Sequence, residues 1–106
     1  MIDRNVTRPL DETREQQYWQ NQYTREGYYE PGHTYDDYGP AYRTGYLGYG
    51  RYQGRSFDAA EQDLKTDWER TKGESRLAWD KAKTAVRAAW HRVETAMPGD
   101  ADRDGR

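Results

Sequence analysis

Phe57, Trp68, Trp79 and Trp90 stand eleven residues apart, and no other feature limits so tightly what this chain can fold into. Eleven residues make three turns of α-helix at about 3.67 residues per turn, so a position repeated at that interval returns to the same face. The four rings therefore mark a buried seam on helical backbone. Ala60, Leu64 and Thr71 share the face with Phe57 and Trp68, while Ala82, Val86, Ala89, Val93 and Met97 share it with Trp79 and Trp90. Gly73 is a natural helix stop and Ser75 a natural N-cap for a restart. Ser56 or Asp58 opens the first helix, with Asp58 and Glu61 at capping-box spacing. Residues 56–97 are expected to form an amphipathic αα-hairpin closed by Met97-Pro98-Gly99, with a single bent helix as the alternative.

Such a seam needs a cover. Apolar residues are 33% of the chain, charged residues 34%, and mean hydropathy is −1.44, a balance that leans toward disorder. Against it stand four Trp, ten Tyr and one Phe, more ring surface than a disordered chain carries. Residues 27–55 hold eight of the tyrosines among glycines and prolines and read by composition as a low-complexity linker. Their spacing reads differently. Tyr35, Tyr38, Tyr42, Tyr46, Tyr49 and Tyr52 follow at intervals of 3, 4, 4, 3 and 3, the pattern of one helix face. A helix over 40–52 is expected, with Pro40 in its first turn and Asp36 or Asp37 as cap. Gly45, Gly48 and Gly50 each cost that helix about 1 kcal/mol relative to Ala, so it forms only by packing its tyrosine stripe on something. The hairpin seam or another copy of the chain would serve.

Residues 10–26 carry helix formers, early acids and a stop at Gly27, with Pro9 at the entry and Leu10, Tyr18, Trp19 and Tyr23 as the apolar side. Residues 1–9 are expected to be a flexible start and 98–106 a disordered acidic tail. The fold class is all-α: short helices, a C-terminal amphipathic αα-hairpin, and a Tyr/Gly-rich segment packed on it. Phe57, Leu64, Trp68, Trp79, Val86, Trp90 and Val93, with the six stripe tyrosines, are the expected core and interface. Charge suggests how the helices pair. Residues 57–69 carry a net −4 and residues 76–93 a net +4, an asymmetry that selects partner and orientation within the chain or between copies. A homo-oligomer is expected.

Chemistry-bearing residues are sparse. There is no cysteine and only two histidines, His33 and His91. Ser56 and Ser75 suit caps better than nucleophiles, and Asp36-Asp37 lies in a turn-forming sequence. No catalytic residue, cofactor or small-molecule substrate is expected. Asp100, Asp102, Asp104 and Gly105 match the opening of an EF-hand loop, but the remaining ligand positions of that loop are missing, and no metal site is expected. The competing functional class is single-stranded nucleic-acid binding, in which Arg43, Arg51 and Arg55 among tyrosines would stack on bases and meet phosphate. The net charge of −2 and the cancelling Glu30, Asp36 and Asp37 weigh against it. Binding to a membrane surface through the Trp face would bring an acidic helix against anionic lipid. No stretch has the apolar core of a signal peptide or the length of a membrane span, and a cytoplasmic location is expected.

The segment WERTKGESRLAW, in the pattern W-x3-K-G-x5-W from Trp68 to Trp79, resembles the core of CsbD-like bacterial general-stress proteins, which are short helical hairpins. The longer run AYRTGYLGYGRYQGRSFDAAEQDLKTDWER, with AVRAAWHRVE after it, resembles small bacterial proteins that carry a Tyr-rich segment before a D-W-E helix. The two resemblances imply a bacterial, stress-associated or housekeeping structural protein and no catalytic residues.

Overall fold

The computed structural model describes residues 11–52 and 54–96. Among them lie four α-helices and no strand: α1 (Glu12–Gln22), α2 (Tyr35–Arg51), α3 (Phe57–Thr71) and α4 (Trp79–Ala96), with a 3-10 turn at Tyr23–Arg25 between α1 and α2. The chain is all-α, and its helices pack on one another. Residues 1–9, expected to be a flexible start, together with Leu10, Met97 and the tail at 98–106 lie outside the described residues.

The caps explain where α1, α2 and α3 begin. Asp11 accepts the Arg14 N–H at 3.2 Å to open α1, and Glu12 and Glu15 sit favourably in its first turn. This helix is shorter than the 10–26 expected, because it tightens into the 3-10 turn at Tyr23. Ser56, not Asp58, caps α3 by accepting the Ala59 N–H at 3.1 Å. The expected start of α2 at Pro40 is also corrected. That helix begins at Tyr35 after Thr34, whose N–H donates to Asp37 Oδ2 at 3.1 Å, leaving Pro40 inside the helix. Proline's preference for a first turn yields to a cap that tertiary bonds at Asp37 reinforce.

Chain reversal after Thr71 makes the hairpin. Gly73 adopts φ +57, where other residues are strained, and α4 begins only at Trp79. Ser75 does not cap α4; its hydroxyl is drawn to the Asp37 carbonyl at 2.6 Å, and it is buried. The reversal falls midway between Trp68 and Trp79, which has a consequence for the eleven-residue interval. The four rings do not form one continuous rod. They meet in two rungs across the hairpin, Trp68 with Trp79 at 5.6 Å and Phe57 with Trp90 at 5.7 Å between ring centroids.

The tyrosine helix covers those rungs from within the same chain. α2 and α4 run in the same direction and share the main contact of the fold: Asp37 is level with Arg76, Gly45 with Val86 and Ala89, and Tyr49 with Trp90. Of the glycines that argued against this helix, Gly45 creates the contact with α4 and Gly48 a close approach to α3. A Cβ on Gly45 would stand 2.2 Å from the Val86 carbonyl oxygen, and one on Gly48 2.4 Å from Leu64 Cδ2. On its side of the Gly45 contact, α4 presents Ala82, Ala85 and Ala89, all fully buried. Small residues on both sides bring the two backbones close, so the penalty for helical glycine is offset by packing. Tyr38, Tyr42, Tyr46, Leu64, Trp68, Val86, Trp90 and Val93 are at most 3% exposed and Phe57 4%, which makes them core. Tyr35, Tyr49, Tyr52 and Trp79 are half-buried at its rim.

Candidate functional site

Two constellations stand out among the described residues. The first centres on Asp37, which is 3% exposed. Its carboxylate accepts from the Arg76 backbone N–H at 2.9 Å, from Arg76 Nη2 at 2.7 Å and from Arg76 Nε at 3.1 and 3.2 Å. It also accepts the Thr34 N–H and lies 3.0 Å from His33 Nδ1. Arg76 Nη2 donates in addition to the Gly32 carbonyl at 2.8 Å. The Arg76 guanidinium holds the Asp37 carboxyl well below the usual carboxylate range, outweighing burial, and Arg76 is raised in turn. One buried carboxylate thus ties the start of α2 to the turn before α4 and to the loop at Gly32. Beside it Glu30 pairs with Lys81, which lowers the Glu30 carboxyl.

The second constellation is a ring cluster where α1 and the 23–34 loop meet α2. Trp19, the one buried residue of α1, stacks on Tyr42 at 4.2 Å with planes 11° apart. Tyr18 meets Trp19 edge-on at 4.8 Å, and Arg92 lies 3.6 Å over the Tyr18 ring. Tyr38 contacts Tyr23, Tyr28 and Tyr29, and its hydroxyl oxygen accepts the Glu30 N–H at 3.0 Å. The Tyr28 and Tyr42 hydroxyls are 2.7 Å apart. Burial pushes the Tyr28, Tyr42 and Tyr46 phenols far up and that of Tyr35 to about 12. Among the described residues no acceptor lies within hydrogen-bonding distance of the buried Trp19, Trp68 and Trp90 indole N–H groups.

Charge pairing differs from the simple hairpin attraction expected. Glu61–Lys83 at 3.0 Å joins α3 to α4, and Lys83 with the nearby Trp79 indole lowers the Glu61 carboxyl. Other charges of these helices look elsewhere: Asp67 to Arg51 and to the Tyr52 hydroxyl, Asp63 to Arg55, and Arg92 to Glu15 of α1. The three arginines of the nucleic-acid reading are all engaged, since Arg43 pairs with Glu12 at 2.8 Å. His33 and His91 lie at separate places, His91 beside Glu94. Among the described residues no group of three His, Cys, Asp or Glu side chains is arranged to hold a metal ion, and no helix is long and apolar enough to cross a membrane. The Asp-rich tail lies outside those residues.

Sequence reasoning missed the Asp37–Arg76 anchor and Trp19 as a core plug. The first joins residues nearly forty positions apart, and no local pattern announces it. The second has only one buried residue on its helix, too little to make a stripe. Compared with family models, curated proteins and solved structures, the chain has no significant match.

Proposed function

We propose that this chain is a non-enzymatic structural protein, of the small bacterial stress-associated kind that its two sequence resemblances imply. The observation that supports the reading is how its reactive-looking side chains are used. Asp37, the most perturbed carboxylate, has hydrogen bonds from three residues and acts as a tie between segments. The tyrosine and tryptophan stripes face each other rather than a cleft.

In this reading copies of the chain associate through what the core leaves outside: the half-buried rim at Tyr35, Tyr49, Tyr52 and Trp79 and a surface of mixed charge. Such contacts are weak individually and weaken with salt. The nucleic-acid alternative would require Arg43, Arg51 and Arg55 to leave their carboxylates, which favours the structural reading. Sedimentation of the full chain over a range of concentrations is the test. Mass rising with concentration and falling on addition of salt is expected; a strict monomer at every concentration would overturn the assembly half of the proposal.

A further inference from the structure

α1 enters the core at a single side chain. Trp19 is the one buried residue of that helix, and its indole lies stacked on the fully buried Tyr42 ring at 4.2 Å. Two ion pairs flank it, Glu12 with Arg43 of α2 and Glu15 with Arg92 of α4, and both arginines reach solvent. Pairs of that kind hold weakly. The chain that follows is held more firmly. At Tyr23 the helix tightens into the 3-10 turn, and Tyr23, Tyr28 and Tyr29 all pack on Tyr38. The junction of Gln22 and Tyr23 is thus a boundary between a latch with one deep plug and a fixed loop. When α1 lifts at that boundary, it leaves an apolar slot floored by Tyr42 and edged by Arg43 and Arg92. Open, that slot is costly in water, and a free helix of 11 residues is marginal by itself. Slot and helix are therefore driven to find a partner again.

We propose that α1 is exchanged between copies of the chain, so that Trp19 of one copy fills the Tyr42 slot of another. The exchanged helix remakes the contacts it had at home: indole on phenol, Glu12 on Arg43 and Glu15 on Arg92. No new surface has to become complementary, which makes such an exchange a low-cost route to a dimer. The inference rests on the self-associating reading above and adds to its rim contacts a defined element that joins the copies. Reciprocal exchange closes a dimer, and exchange passed from copy to copy extends an open chain.

Two charge-reversed full-length chains test it. In the first, Glu12→Arg and Glu15→Arg set α1 against its own Arg43 and Arg92. In the second, Arg43→Glu and Arg92→Glu set the slot against its own α1. Neither chain is matched within itself or with its own copies, whereas each α1 matches the slot of the other chain. Native mass spectrometry of the mixture should show heterodimer above its statistical share of all dimers by roughly tenfold. Adding Trp19→Ala to both chains should return it to that share, which separates exchange from plain attraction between oppositely charged chains. Circular dichroism establishes that each variant is folded. In the wild-type chain, amides of α1 should exchange with solvent roughly tenfold or more faster than those of residues 41–49. Dimers in statistical proportion, an excess that persists without Trp19, or α1 amides as protected as those of 41–49 would overturn the exchange while leaving association through the rim standing. Absence of every dimer, in wild type and mixture alike, would overturn both.

Discussion

Gly45 of α2 lies so close to Val86 of α4 that a single added methyl would fall 2.2 Å from the Val86 carbonyl oxygen and 2.8 Å from Ala89 Cβ. Both neighbours are fixed parts of another helix, so the helices would have to separate. Gly45→Ala is expected to destabilise the protein by about 3 kcal/mol, although Ala is the better helix former by about 1 kcal/mol. In Gly48→Ala the tight contact is with the end of the Leu64 side chain, which can shift, and the change should cost about 1 kcal/mol. At Gly50 nothing stands within 4 Å, and Gly50→Ala should stabilise by about 0.5 kcal/mol. Urea unfolding of the three variants checks the ranking.

Asp37→Asn removes the charge that anchors Arg76 and is expected to cost about 2–3 kcal/mol, below the range for a fully buried pair because Arg76 opens to solvent. The same carboxylate sets an acid limit. Its folded pKa is depressed below the ordinary 3.8, so its contribution is complete above that value and is lost as pH falls below it. Stability measured from pH 6 downward should drop in wild type through that window and drop less in Asp37→Asn.

An alkaline limit follows from the tyrosines with the opposite sign. Burial raises Tyr35 to about 12 and Tyr28, Tyr42 and Tyr46 further, from an ordinary value of 10.0. A raised folded pKa gives stability that is complete below the unfolded value and lost as pH climbs above it. Phenolate absorbance from the buried tyrosines should therefore rise only well above pH 10, together with loss of helix.

The two rungs of the hairpin are unequal. Trp90 is fully buried between Tyr49 and Phe57, and Trp90→Ala should cost about 3–5 kcal/mol. Trp79 is half-buried, and Trp79→Ala should cost roughly half as much. Equal losses on thermal or chemical unfolding would contradict the placement of the rungs.

Periodicity made much of this fold legible. The interval of eleven marks ring positions that are buried or at the core's edge, and the 3-4 spacing of the tyrosines marks a real helix face. Both patterns survive because helical geometry turns sequence distance directly into direction. What the same patterns could not convey was distance across space. Gly45 and Gly48 read as helix breakers because their use is visible only with Val86 and Leu64 alongside. The start of α2 was misplaced at Pro40 because Asp37 draws its importance from Arg76, far away in the chain. Trp19 stands in the sequence only as one of a few apolar residues on a polar helix, too thin a pattern to show that it alone is buried there and closes the ring cluster on Tyr42.

Amide hydrogen exchange over residues 41–49 tests the central claim, that the Tyr/Gly segment is a core helix laid on the Trp hairpin. If it is, those amides exchange only through global opening and are as protected as residues 82–93 of α4. Free exchange across 41–49 while α4 stays protected would mean that the tyrosine segment is a tether and that the hairpin is covered by something else.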